Sequence, residues 1–238
     1  MGETASQSIV EELLDALLAG PEPEVFAVRA AEVAADRLRL PAPGGVSLAI
    51  ERSRRTRLTA RTASLPEALA SVEYEPGSPG STVLGGGPDV VVEDLAADRR
   101  WQALVPAAAA GIRSAVAAAL PLDGGRGVLS CYAAQRQAFG SRGAGEVLTV
   151  AGECAKVLRL ALLLDARAYR AANLQAALES RTVVDLAAGI IMGQNGCSQQ
   201  AAIDILRSVS NSRNIKIRNV AAGVVAAVSD RVNTHFEE

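Results

Sequence analysis

The residues best suited to chemistry in this chain form a basic cluster near its carboxyl end. Between residues 205 and 222 there are four positive charges and no acid: Arg207, Arg213, Lys216 and Arg218. Asn214 lies among them. Such a cluster attracts a phosphate backbone, and Asn and Arg side chains can also hydrogen-bond to base edges. The same spacing fits an ordinary solvated face, so the pattern alone leaves nucleic-acid binding and solvation as alternatives.

Catalytic and metal-binding patterns are not found in the sequence. The cysteines Cys131, Cys154 and Cys197 lie far apart, and His235 is the only histidine. A zinc site and a Ser-His-Asp site are therefore not expected, and the thiols fit a reducing cytoplasm. Gly85–Gly87 is not followed by Lys-Ser/Thr, so it is not a phosphate-binding loop. We expect no enzyme activity, no cofactor and no metal ion.

Two residues in the first half of the chain are candidates for a ligand pocket. Asp94 and Trp101, with Asp98 between them, belong to the stretch VVVEDLAADRRW. The motif fits a ligand cavity, but it more often fixes a loop, with Asp capping the following helix and Trp filling the core. Cys131, on a predicted strand, is interpreted as a core residue rather than a redox switch.

A second basic stretch, ERSRRTRLTAR at residues 51–61, contains five arginines. If its surface meets RNA, replacing Arg54, Arg55 and Arg57 lowers the salt dependence of binding. We favour a solvated hairpin whose alternate residues, including Leu58, face a sheet.

The totals indicate a folded chain outside the membrane. It has 238 residues, 49% of them hydrophobic, and a net charge of −2, so any basic surface must be local. The first 20 residues lack the basic region of a signal peptide, and the apolar run LRLALLLDARAY is too short to span a bilayer.

The order of the predicted elements gives an α+β fold. Apolar spacing predicts helices over residues 6–19 and about 24–39, the second carrying Val25, Val28 and Val33. A meander of strands with short helical inserts follows, including two antiparallel strands in RSAVAAALPL and GVLSCYAAQ. This pattern is typical of one antiparallel sheet with helices against it.

A long helix, from about residue 144 to 193, follows the predicted sheet. A weak heptad seam runs through it: Val147, Val150, Cys154, Val157, Ala161, Leu164, Ala168, Ala171, Gln175 and Leu178. A second apolar stripe accompanies it as far as Leu162: Leu148, Ala151, Ala155, Leu158 and Leu162. We expect one stripe to lie on the preceding domain and the other on a second copy of the chain, so that the helix forms a dimeric stalk. The alternative is that the whole helix packs within one domain.

Three short amphipathic helices are predicted to share a core at the carboxyl end. The first carries Val183, Ala187, Ile190 and Ile191; the second Ala202, Ile205, Leu206 and Val209; the third Ile217, Val220, Ala221, Val224, Val225 and Val228. Gly196 is expected in the left-handed conformation after the first helix, and Ser198 is expected to cap the second. The stretch NSRN, ending at Asn214, separates the second helix from the third.

These residues resemble the ANTAR domain. RTVVDLAAGIIMGQNGCSQQAAIDILRSVS has the Ala-x-Gly-apolar-apolar-Met run, the break and the Ser-capped helix ending in Leu-Arg, and NIKIRNVAAGVV is similar to the last helix of the family. The match covers roughly residues 174–231. It implies an antiterminator that binds RNA hairpin loops in leader transcripts. The family often has Lys where this chain has Ala188, which would either lower the affinity for RNA or shift phosphate contacts to Arg181, Arg207 and Arg213.

The preceding region, roughly 22–165, is similar to the GAF domains that precede ANTAR in many actinobacterial proteins. The marks are VVVEDLAADRRW, GIRSA, and GVLSCY followed by Ala138-Phe139. The resemblance implies a small-molecule sensor or dimerisation module. In YEPGSPGST, Ser replaces the Cys of the related loop, which argues against thiol-based sensing there.

The sequence therefore predicts a cytoplasmic, homodimeric regulator with a GAF-like domain over 1–165 and an RNA-binding domain over 166–238. Its partners would be RNA hairpin loops, a second copy and an unidentified small molecule, with no membrane. Two alternatives remain. One is a DNA-binding regulator with a helix-turn-helix arrangement, and the other is a ligand-sensing module that meets an acidic protein.

Overall fold

The computed structural model of the protein describes residues 8–52, 55–123 and 125–233. Its contacts divide the chain into two compact units, Met1–Asp165 and Ala166–Glu238. Arg54, His235 and the first two residues of the helix predicted over 6–19 lie outside the described residues.

A five-stranded antiparallel sheet forms the centre of the first unit. Its strands are β1 (Gly45–Ile50), β2 (Leu58–Arg61), β3 (Val90–Val92), β4 (Ser114–Leu120) and β5 (Gly127–Ala133). They lie in the order β2-β1-β5-β4-β3, and β1 pairs with β5 from Gly45 opposite Tyr132 to Ile50 opposite Gly127. The two antiparallel strands predicted near residues 113–135 are confirmed as β4 and β5.

In the described part of the chain, helices precede and follow the strands and also interrupt their run. In chain order they are α1 (Ile9–Leu18), α2 (Pro23–Leu38), α3 (Glu67–Ala70), α4 (Pro79–Leu84), α5 (Val105–Ala109), α6 (Ser141–Asn195), α7 (Gln199–Arg213) and α8 (Ile217–Asn233). A 3₁₀ turn, Arg99–Leu104, precedes α5. The predicted α+β fold, with an antiparallel sheet, a long helix and three helical segments at the carboxyl end, is confirmed.

One face of the sheet packs against α1, α2 and the first part of α6. Alternate strand residues such as Leu48, Leu129 and Cys131 point to this side and are fully buried. The helix α2 presents its alanines and Phe26 to this core, whereas Val25 and Val28 are exposed. Cys131 is confirmed as a core residue. Burial and the nearby Cys154 raise the pKa of its thiol.

The opposite face of the sheet is covered by α3, α4, α5 and the 3₁₀ turn. Leu69, Leu104 and Ile112 pack there on small sheet residues such as Ala115 and Ala117. Small side chains on the strands allow the short helices to lie close to the sheet. This second core also contains a buried carboxyl group, that of Glu73.

The first part of α6 corrects the prediction of two separate apolar faces. Most residues of both predicted stripes are buried in the same core of the first unit, whereas Leu148 is 43% exposed. The buried ones are Val147, Val150, Ala151, Cys154, Ala155, Val157 and Leu158. The stripes are neighbours on one broad face because the heptad seam and its companion differ by only one residue position. This part of α6 therefore does not divide its two stripes between the sheet and a second copy.

Farther along α6 the packing against the first unit ends. Leu162 is still partly buried against the core, whereas Leu163 and Leu164 are about half exposed, at 48% and 47%. Every residue from 167 to 179 is exposed, including Leu174 and Leu178. Exposed leucines also occur at Leu160 and Leu186.

Candidate nucleic-acid interface

Three helical segments form the core of the second unit: the end of α6, α7 and α8. Most of its buried residues are alanines, and the two larger ones are Ile191 and Leu206. The set is Ala187, Ala188, Ile191, Ala202, Leu206 and Ala221. Valines and isoleucines from all three segments complete it, including Val183, Val220 and Val224. The predicted common core is confirmed in outline. Small residues at the contacts allow the helices to approach closely.

Some of the predicted core residues lie outside this core. Ile205 is 44% exposed, because Ala202, Ile203 and Leu206 set the buried direction of α7 and Ile205 lies about 100° away from its centre. On α6, Ala188 occupies the core, whereas Ile190 is only partly buried. The prediction of Ile205 as a core residue was wrong, and the predicted core residues Ile190, Val209 and Val228 are partly buried outside the core cluster.

The turns between these helices are fixed by local hydrogen bonds. Gly196 has a φ of 64° and its amide donates to the carbonyl oxygen of Met192, as predicted for the end of α6. The hydroxyl of Ser198 accepts from the amide of Ala201 and caps α7. At the other end of α7, Asn214 adopts the left-handed conformation with a φ of 51°. The helix α7 includes the first three residues of NSRN, so that stretch ends the helix rather than interrupting it.

The turn from α7 to α8 brings four of the predicted binding residues together. Arg213 ends α7, Asn214 and Lys216 form the turn, and Arg218 lies in the first turn of α8, and all four are exposed. The amino end of α8 carries the positive end of its helix dipole and has no acidic residue in its first turn. The hydroxyl of Ser210 donates to the carbonyl oxygen of Ile215 and holds the turn in place. The arrangement concentrates positive potential at one exposed corner.

The two other predicted binding residues pair with acids of their own helices. The guanidinium of Arg207 lies 3.4 Å from the carboxylate of Asp204 on α7, and that of Arg181 lies 3.7 Å from Asp185 on α6. Both pairs are solvent-exposed and so contribute little free energy, typically below about 1 kcal/mol. A phosphate can therefore compete for either guanidinium at small cost.

Several residues that the sequence reasoning missed share the corner of the basic cluster. Ile215 is 41% exposed between Asn214 and Lys216, and Asn211 and Asn219 are exposed on either side of the turn. An exposed apolar side chain next to amides can contact the face of an unpaired base while the amides reach its edge. The excess of Asn around a helix end was the available signal.

Ala188, where the related family often carries Lys, is almost fully buried. Its methyl group packs in the core of the second unit, so the position serves packing in this chain. The expectation that phosphate contacts shift to arginines at other positions remains a prediction.

The predicted pocket residues of the first unit lie in a structured loop. The carboxylate of Asp94 accepts from the amide of Ala96 and pairs with Arg136 at 3.2 Å. Asp98 caps the 3₁₀ turn by accepting from the amide of Arg100, whose side chain lies over the ring of Trp101. Trp101 packs partly into the second core. A shallow depression includes Asp94 but is not lined by Trp101, and its role in ligand binding stays a prediction.

A buried polar cluster lies on the same side of the sheet. Glu73 is 2% exposed, and its Oε1 has no hydrogen-bond partner among the described residues. Burial raises the pKa of its carboxyl from 4.5 to about 8, although the nearby hydroxyls of Tyr132 and Tyr74 and the charge of Arg61 act to lower this pKa. The hydroxyl of Tyr74 donates to Ser47 at 3.1 Å. The carboxyl is therefore largely protonated at neutral pH.

Metal sites and membrane spans were sought in the described parts of the chain. There, no group of three or more His, Cys, Asp or Glu side chains could hold a metal ion. Within the same residues, no helix is long and apolar enough to cross a membrane.

Comparison with known proteins gives a family match for the second unit. The family model of the ANTAR domain matches residues 172–225 of the chain. No curated protein matches the chain.

Solved structures that are similar to the chain each cover about two thirds of it. A GAF domain from an Acinetobacter phosphoenolpyruvate-protein phosphotransferase is 15% identical, covering 67% of this chain and 96% of its own, with a TM-score of 0.47. A free methionine-R-sulfoxide reductase from Neisseria meningitidis is 20% identical, covering 71% and 98%, with a TM-score of 0.47. A GAF domain region from Geobacter sulfurreducens is 13% identical, covering 63% and 99%, with a TM-score of 0.44.

Proposed function

We propose that this chain is a transcription antitermination regulator that binds paired hairpins in nascent leader transcripts. The observation that carries the proposal is the exposed corner formed by Arg213, Asn214, Lys216 and Arg218 within the ANTAR match. Binding there prevents a competing terminator hairpin from forming. Because nascent bacterial-type leaders are cytoplasmic, we place the protein in the cytoplasm.

Hairpin loops suit this corner better than duplex RNA does. The deep major groove of an A-form helix excludes side chains, whereas a loop exposes unpaired bases. In the proposed complex Lys216 and Arg218 contact loop phosphates, Asn214 contacts a base edge and Ile215 lies against a base face. Arg207 and Arg181 exchange their carboxylate partners for phosphates.

The first unit has the proposed role of a GAF-like sensor and dimerisation domain, over residues 1–165, with the RNA-binding domain over 166–238. Its unidentified small-molecule ligand would reach the loop that holds Asp94 and Trp101.

A second copy of the chain would cover the exposed part of α6. The contact would use residues spaced by three, four or seven positions, as in a heptad pattern. They are Leu160, Leu164, Ala171, Leu174 and Leu178, and the four leucines are exposed. Two ANTAR domains held on one stalk bind two hairpins of one transcript, so the second contact gains effective concentration.

RNA capture from cells tests the proposal. The purified protein is incubated with cellular RNA at two salt concentrations, and the bound RNA is sequenced. Enrichment of paired short hairpins ahead of terminators, lost at the higher salt, supports it. Lys216→Ala and Arg207→Ala should each weaken binding to an enriched RNA by roughly three- to tenfold. Arg142→Ala, at an exposed arginine of the first unit, is the matched control and should leave the affinity unchanged.

Two other outcomes identify the alternatives. Tighter binding to duplex DNA than to looped RNA favours a helix-turn-helix regulator. Binding to neither at low salt, by the full chain or by residues 166–238 alone, favours a module that meets an acidic protein. Thiol-based catalysis at Cys131 or Cys154 is disfavoured, because burial raises the pKa of Cys154 to about 12 and that of Cys131 even further.

A further inference from the structure

The arginine-rich stretch that runs from the end of β1 through β2 is held by carboxylates of the first unit. Each arginine that the structure describes there forms an ion pair: Arg52 with Glu24, Arg55 with Asp165, Arg57 with Glu51 and Arg61 with Glu67. The side chains are therefore engaged within the protein. The antiparallel pairing of β1 with β2 supports the hairpin interpretation of the stretch.

The pair between Arg55 and Asp165 holds α6 at a particular point. The two side chains are 28% and 16% exposed, so their attraction is screened less than that of a surface pair. Asp165 is the last residue of the first unit, three residues after the apolar packing of α6 reaches Leu162. Beyond it, residues 167–179 are exposed. The pair fixes the helix where it leaves the sheet.

The neighbouring arginine of the same connection touches the buried polar cluster. The guanidinium of Arg57 lies 5.9 Å from the centre of the Tyr74 ring, and the Tyr74 hydroxyl donates to Ser47 on β1. Glu73, with its unpartnered Oε1, precedes Tyr74 in the chain. A movement of Tyr74 therefore meets Arg57 directly, two residues from the side chain that holds α6.

We propose that Arg55 and Arg57 form a latch that transmits the state of the Glu73–Tyr74 cluster to α6. While the Tyr74 hydroxyl donates to Ser47, the guanidinium of Arg57 lies over the Tyr74 ring and Arg55 pairs with Asp165. These contacts hold α6 at Asp165, where the first unit ends. When the cluster is perturbed, the connection shifts and α6 is released at Asp165. The inference rests on the proposed role of the first unit as a sensor, and it supplies the route from that unit to the stalk.

Hydrogen exchange of the full chain tests the α6 side of the latch without RNA. Arg55→Asp and Asp165→Arg should each speed amide exchange over residues 160–169 by about tenfold, and the double variant, which restores the pair with exchanged charges, should return it toward the wild-type rate. Asp123→Arg is the matched control, since it breaks the exposed pair of Asp123 with Arg159 on the same helix. That variant should leave exchange unchanged.

A second pair of variants tests the link to the buried cluster. Arg57 and Arg126 both pair with Glu51, but the stack on Tyr74 belongs to Arg57. Arg57→Met should speed exchange over residues 160–169 several-fold although Arg57 makes its described contacts away from α6, and Arg126→Met should not.

Three results overturn the latch: wild-type exchange of α6 in the single variants, equal acceleration in β4 and β5, or equal effects of Arg57→Met and Arg126→Met. Failure of the proposed RNA function is a separate result, since it shows as absent RNA capture by the wild-type chain while the exchange measurements stand.

Discussion

Replacing Glu73 by Gln should remove most of the dependence of the stability of the first unit on pH. Gln keeps the shape of the side chain and cannot ionise. In the wild type the folded state holds a proton that the unfolded chain releases at a pKa near 4.5, because burial raises the folded pKa to about 8. Folding is therefore accompanied by the uptake of a proton at pH values between 4.5 and about 8.

The sign and size follow from this difference. The protonated carboxyl makes its full contribution to the free energy of unfolding below pH 4.5. This contribution is lost as the pH rises through the pKa of the folded state, about 8. Each pH unit within the window costs close to a factor of ten in the folding equilibrium. Over roughly three and a half units this is of order 5 kcal/mol, and above about pH 8 the loss stops.

Urea unfolding from pH 5 to pH 9 measures the effect. Trp101, the single tryptophan, lies in the first unit and reports its unfolding by fluorescence. The free energy of unfolding of Glu73→Gln minus that of the wild type should grow from pH 5 to about pH 8 and then level off. Taking this difference cancels the other titrating groups.

The control is Glu75→Gln, which changes an exposed carboxyl two residues away. Its pH profile should run parallel to that of the wild type. Parallel profiles for Glu73→Gln and the wild type would refute the reasoning, since they would mean that Glu73 titrates alike in the folded and unfolded chain.

Three further predictions concern the second unit and the stalk. Ser198→Ala removes the cap of α7 and should lower the free energy of unfolding of residues 166–238 by about 1 kcal/mol, measured by circular dichroism in urea. Asn214→Val should cost about 1–2 kcal/mol in the same assay because a β-branched residue resists a φ of 51°, whereas Asn214→Gly should be nearly neutral. Leu174→Asp combined with Leu178→Asp should lower the dimer fraction in sedimentation, and an unchanged fraction would place the dimer contact elsewhere.

The sequence predicted which helices and strands form better than it predicted which of their faces are buried. Helical spacing and turn residues located α1, α2, the β4–β5 hairpin and α6 because these signals are local. Which face is buried depends on the partner, so α2 packs its alanines inward and leaves Val25 exposed. The same limit misplaced Ile205 in the core of the second unit.

The candidate sites also differ in how far they could be predicted from local sequence. The basic corner around Lys216 could be predicted because its residues are consecutive in the chain. The Glu73 cluster could not, since it needs β1, β5 and the turn after α3 to meet. The partner of Arg55 is 110 residues away, and no local pattern indicates it.

The stretch of α6 over residues 167–179 has a consequence for how cells could use this protein. A helical segment exposed on every side is marginally stable in water, even when rich in alanine. In the dimer we propose, its order comes from the second copy, so it is set by how much of the chain a cell makes. At low abundance, doubling the synthesis of the chain then raises the concentration of the ordered dimer, with its two ANTAR domains, more than twofold. Expression level becomes an input to the regulator, and at low abundance target genes respond to it more steeply than in proportion.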